Sequence, residues 1–178
     1  MWDDFDITSM VSATKIPRVE MPEEKFIDVS VQNAADDVSF GLEGEPTLNF
    51  TKGGKVSITF RGIPLSKSQS KNIEHAHLQL MAVTDSIGSS FSISGAIGSS
   101  TVLSSAKVAC IQDESEEWNH HEVWVSPDLK DIIVEAAEWN EDGASITFVI
   151  GDIEGDLTAY SFEHSPCVAP SLAIQLKH

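Results

Sequence analysis

The chain has 178 residues, enough for one domain with a substantial core. It carries 11 Lys and Arg against 28 Asp and Glu, a formal net charge of -17 that excludes nucleic acid and disfavours an anionic bilayer surface. With 41% hydrophobic residues it is not disordered throughout, and neutral ligands, cations and protein surfaces remain as partners.

MWDDFDITSM has no basic start and no apolar stretch, so no signal peptide is expected in it. No apolar run is long enough for membrane insertion. Residues 1–25 are acidic, contain Pro17 and Pro22 and lack periodicity, which predicts a loosely ordered N-terminal extension. Residues 26–178 then form the single folded domain. Whether the chain is whole or an excised piece is open at this stage.

FIDVSVQ alternates, with Ile27, Val29 and Val31 on one face. A polar turn around Asn33–Asp37 and short strands near Val38–Phe40 and Thr47–Phe50 follow. KVSITFRGI has period two and places Val56, Ile58 and Phe60 inward. IEHAHLQLMA places Ala76, Leu78, Leu80 and Ala82 inward, and Ile73, His75, His77 and Gln79 on the other side. SFSISGA and TVLSSAKVACI read as strands of small residues. QDESEEWNHH is a polar loop, and HEVWV a short extended piece.

WVSPDLKDIIVEAAEW predicts the one helix. Ser126 is the expected N-cap with Pro127 in the first turn, and Leu129, Ile132, Ile133 and Ala136 form an apolar stripe. Asn140–Gly143 stop it. ASITFVIG is a strongly apolar strand whose adjacent Val149 and Ile150 suggest burial on both sides. LTAYSFE and SLAIQLK are the last strands. The pattern is all-β, and its regular turns predict a jelly-roll β-sandwich of two antiparallel sheets with one short packed α-helix.

IEHAHLQL, SFSISGA, WVSPDLKDIIVEAAEWNEDGASITFVIG and LTAYSFEHSPCVAPSLAIQL occur in this order over residues 27–176. Together they resemble the blocks of a bacterial extracellular jelly-roll accessory module, similar to carbohydrate-binding modules and DNRLRE-like domains. The resemblance implies a non-catalytic module of a larger secreted or cell-surface protein. Its implied work is recognition of extracellular polysaccharide, or adhesion. The chain departs from that pattern at His77, where the family has an aromatic, and at Leu157 and Thr158, where a polar residue, often Arg, is usual. The alternative is a structural or assembly domain that contacts a protein partner.

No catalytic constellation stands out: there is no GxSxG elbow, and Glu135, Glu138 and Glu141 fit a solvated helix face. Glycan binding needs aromatic platforms and polar side chains. Trp118, in a polar loop beside His120, is the expected exposed platform, while Trp124 and Trp139 are expected to pack the helix. A second surface is the face of His75, His77 and Gln79, extended by Lys55, Ser57, Thr59 and Arg61 if those strands pair. Arg61 is read equally as a ligand donor or as half of a salt bridge. His75 and His77 share a strand face and suit zinc or copper, with His120 or His121 as a third ligand. A structural calcium ion, if held, falls in one of two acidic turns, Asp36 and Asp37 or Asp152 and Asp156; each also reads as an ordinary acidic turn. Cys110 and Cys167 allow a disulfide or two buried free thiols.

Overall fold

The computed structural model describes residues 25–42, 45–98, 101–111, 118–139 and 145–177. The expected extension lies outside these residues except for Lys25, which opens the first strand. So do most of the acidic loop before Trp118 and the expected helix stop at 140–143. In chain order the strands are β1 (Lys25–Ser30), β2 (Asp37–Ser39), β3 (Thr47–Phe50), β4 (Val56–Phe60), β5 (Ile73–Met81), β6 (Ser89–Ile97), β7 (Thr101–Ile111) and β8 (Val123–Val125). Helix α1 (Lys130–Trp139) follows, then β9 (Ile146–Glu154), β10 (Leu157–Tyr160) and β11 (Ser171–Leu176).

Two antiparallel sheets face each other. One has the order β1-β11-β5-β8 and the other β2-β4-β9-β6-β7, with β3 and β10 forming a separate pair. Leaving aside β2, β3 and β10, the chain passes back and forth between the sheets in the two-Greek-key pattern of a jelly roll. The fold is therefore the expected all-β sandwich.

Alternation builds the core. Val56, Ile58 and Phe60 of β4 point inward, as do Ala76, Leu78 and Leu80 of β5 and Leu172, Ile174 and Leu176 of β11. Ile73 also points inward, contrary to the simple period, because the β5–β11 register shifts beside Leu176. Strand β9 is central in its sheet, yet the described residues cover it fully on one side only. Ile146, Phe148 and Ile150 are buried, while Val149 between them is only half-buried. The expected pairing of the Lys55–Arg61 strand with β5 fails too, since β4 lies between β2 and β9 in the opposite sheet.

The helix buries Ile132, Ile133, Ala136 and Ala137, with Leu129 just ahead of it. Gly95 of β6 makes room for it: a Cβ there would lie 2.6 Å from Ile132 and 2.7 Å from Leu103. Where β7 bulges against β6, the carboxylate of Glu135 accepts the backbone N–H groups of Ser104 (2.7 Å) and Ser105 (2.8 Å). Those bonds hold Glu135 down to about 2, far below an ordinary glutamate. Glu135 therefore closes part of an edge strand rather than standing on a solvated face.

The start of the helix differs from the expected cap. Pro127 has no N–H to offer β5, so the side chains on either side of it complete the ladder. Ser126 Oγ accepts the Leu78 N–H at 2.9 Å, and Asp128 Oδ1 accepts the Ala76 N–H at 3.0 Å. The same Asp128 oxygen accepts the Lys130 N–H at 2.9 Å, so Asp128, not Ser126, caps α1. Cys110 and Cys167 are free and exposed, neither bridged nor buried.

Candidate functional site

The expected platform is in the wrong place. Trp118 is fully buried, packed edge-on to Phe50 at 5.6 Å and against Trp124 at 5.5 Å, with its indole N–H donated to the Thr158 carbonyl. The indole is larger and more apolar than its polar neighbours in sequence, and it fills the end of the sandwich instead. Trp139, expected to pack the helix, is 66% exposed. Trp124 does pack the core.

What Trp118 anchors is a tight turn. Ser86 donates to its carbonyl, the His121 N–H bonds to Ala82 O, and Ala82 in turn donates to Glu122 O. Asp85 accepts the His120 N–H at 2.7 Å. His121 is left with φ 63°, a left-handed conformation that costs a non-glycine residue about 1–2 kcal/mol. That turn brings His121 nearly parallel to Tyr160, with ring centroids 5.9 Å apart and planes at 11°. His120 touches His121 edge-on at 3.7 Å, and His164 lies against Tyr160 at 4.2 Å. The three imidazoles are exposed and the phenol half-exposed. This row of four rings contains two residues expected at a site, His120 as a ligand-binding residue and His121, with His120, as a third metal ligand. Tyr160, the chain's one tyrosine, and His164 went unnoticed, because nothing in their spacing shows that β10 and its following turn lie beside residues 118–122.

The outer face of the four-stranded sheet holds the second group. Register places Gln175 beside His75, Ala173 beside His77, and Ser171 and Val125 on either side of Gln79. Phe26, 55% exposed, continues the first row. Gln79 Oε1 accepts the Ser171 hydroxyl. The His75 and His77 rings stack with centroids 6.2 Å apart. His75 Nδ1 lies 2.8 Å from Asp128 Oδ2, and His77 Nδ1 lies 2.9 Å from the Ser126 carbonyl. His75, His77 and Asp128 each present a ligand atom, all within 4.8 Å of one another; among the described residues no other His, Cys or acidic trio does so. Partial burial raises the Asp128 carboxyl, but hydrogen bonds from His75, Ala76 and Lys130 outweigh it and hold the group below the usual carboxylate range. His120 and His121 are not the third ligand; they belong to the ring row.

Arg61 forms the salt bridge. Its Nε lies 2.9 Å from both oxygens of Asp36, which is buried. That bond, against the cost of burial, lowers the Asp36 carboxyl. Asp36 is thus committed to a guanidinium. Asp37 is different: it is 2% exposed, accepts the Phe162 N–H through one oxygen, and among the described residues has no partner for the other. Glu163 also carries one buried oxygen without a partner. Burial, with the nearby Glu163 and Asp36 charges, lifts Asp37 to about 7 despite the Phe162 bond. Asp152 sits in a bulge of β9 with φ 48° and accepts the Ser92 hydroxyl at 2.9 Å, while Asp156 is exposed in the following turn. The described residues do not draw Asp152 and Asp156 into one cluster of ligands.

No protein-family model matches this chain, and no curated protein matches it.

Proposed function

We propose that the protein is a non-catalytic binding module that recognises an extracellular polysaccharide, as a module of a larger secreted or cell-surface protein. The observation that carries this reading is the row His120–His121–Tyr160–His164, held at the surface by a turn whose underside is the buried Trp118. Sugar rings present apolar C–H faces edged by hydroxyls, and a run of exposed rings bearing N–H, N and O–H groups matches both. The turn is tied to Ala82, Asp85 and Ser86, so little is spent on ordering it when ligand arrives. The sequence resemblance supports the same class of function. Calcium enters only as a proposed structural ion, supported by the two unpaired oxygens of Asp37 and Glu163.

The test is retention on a panel of insoluble and immobilised polysaccharides, with calcium and with chelator, for the parent and for Tyr160→Ala. One or more glycans should retain the parent, and the variant should elute early while melting at the same temperature. No retention on any glycan would sink the proposal. An unchanged Tm on chelation would remove the calcium.

A second reading is an assembly domain that contacts another protein. It is favoured by the outer face of the five-stranded sheet, where Ser57, Thr59, Thr147, Ser92 and Ser94 lie among exposed Val102 and Val108 with, among the described residues, no aromatic side chain between them. Such a surface suits close packing of another sheet better than sugar stacking.

A further inference from the structure

We propose that His75, His77 and Asp128 form a binding site for a divalent transition-metal ion of the zinc type, separate from the ring row. Two strand residues of alternate position put both imidazoles on one face, and the capping residue of α1 brings a carboxylate to them. The donor set of two nitrogens and one oxygen suits Zn2+, Cu2+ or Ni2+ and not Ca2+ or Mg2+, which prefer oxygen cages.

The surroundings already resemble a prepared site. A ligating histidine usually anchors its second ring nitrogen on a carbonyl or carboxylate, which fixes the tautomer and the ring. His77 does this through Nδ1 and the Ser126 carbonyl, which leaves Nε2 as its nitrogen for a metal. Asp128 is held by both the Ala76 and Lys130 N–H groups through Oδ1, so Oδ2 is the oxygen that faces His75. A hydrogen now lies between His75 Nδ1 and Asp128 Oδ2. A metal ion can take its place, with the neutral imidazole carrying its hydrogen on Nε2 instead.

Ligand atoms around a tetrahedral zinc are ~3.3 Å apart, as follows from its bond lengths. The present span of 4.8 Å therefore needs a modest closure. A turn of the His75 ring, whose side chain is 51% exposed, can supply it while Asp128 keeps its two backbone bonds. Three protein ligands leave at least one position for water or an oxygen donor from outside, so the ion would serve as an exchangeable docking point rather than as a closed structural staple.

The experiment is calorimetric titration of the full chain with Zn2+, alongside Co2+ titration followed by visible absorption. The parent should bind one Zn2+ that Ca2+ and Mg2+ do not displace, and Co2+ should give the absorption of nitrogen and oxygen ligation. His75→Gln with His77→Gln should weaken binding by ~100-fold or more, beyond the loss of an outer partner alone. His120→Gln with His121→Gln should leave it intact and controls for adventitious binding by the other histidines. Imidazole NMR of the parent supplies a reading independent of variant folding: Zn2+ should move the His75 and His77 ring resonances and no others. No binding by the parent, binding unchanged in the first double variant, or ring shifts confined to other histidines would overturn the site.

Discussion

On the four-stranded sheet, the outward residues of β5 are His75, His77 and Gln79; on the five-stranded sheet, the outward residues of β6 are Ser90, Ser92, Ser94 and Ala96. From Ala76 onward β5 keeps the same two-residue period as β6, and both bury an apolar inner face, Ala76, Leu78 and Leu80 on one and Phe91 and Ile93 on the other. The sandwich therefore constrains the inside of the two sheets alike and leaves the outside free to diverge. The side bearing imidazoles is also where loop side chains replace backbone partners, through Ser126 and Asp128. The side bearing serines is tied across its strands by small hydroxyls, such as Thr59 and Thr147 at 2.8 Å.

The comparison can be broken hardest from beneath. Trp118→Ala should cost about 3–5 kcal/mol in chemical denaturation, because it removes a buried indole from under the ring-bearing turn. A loss under about 0.5 kcal/mol, that of an ordinary surface change, would mean the turn does not rest on it. Asp128→Ala should cost about 2–3 kcal/mol, since two backbone N–H groups lose an ionised partner at once. On the serine side, Gly95→Ala should cost about 1–3 kcal/mol by overpacking against Ile132 and Leu103, with Tm falling accordingly.

Titration separates two carboxylates. Asp37 is raised to about 7 from 3.8, so folding favours its protonated form. Its penalty is absent below pH 3.8, grows as pH rises towards 7, and is complete above that. In the presence of chelator, Asp37→Asn should therefore raise Tm at pH 8 and leave it unchanged near pH 3. The buried oxygen without a partner sets the scale at about 1–3 kcal/mol. Glu135 has the opposite sign. Lowered to about 2 from 4.5, it stabilises fully above pH 4.5 and loses that contribution as pH falls through 2. Glu135→Gln should flatten the acid limb of the Tm profile. The smallest effect is expected on the bare face, where Val102→Thr and Val108→Thr should each change stability by less than about 0.5 kcal/mol.

The inner faces were legible because period and apolarity coincide at Val56–Ile58–Phe60, Ala76–Leu78–Leu80 and Leu172–Ile174–Leu176. The helix stripe was legible for the same reason. Ile73 and Asp152 misled or escaped because a register shift adds a residue that no period contains. Trp118 was misplaced because local polarity does not show that Phe50 and Trp124 wait beneath it. The pairing of His75 with Asp128 had a readable signal, a proline flanked by Ser126 and Asp128 whose side chains must serve where its N–H is missing. The meeting of His121 with Tyr160 had none, since it depends on which strands become neighbours.

The central claim is that ligand is taken on the ring-bearing side of the sandwich and not on its serine-rich face. Backbone NMR shift mapping, with a soluble oligosaccharide from any glycan that retains the protein, tests it most directly. The account predicts shifts confined to residues 119–122 and 160–164, abolished by Tyr160→Ala. Shifts centred on Ser57, Thr59, Ser92, Val102 and Val108 would contradict it.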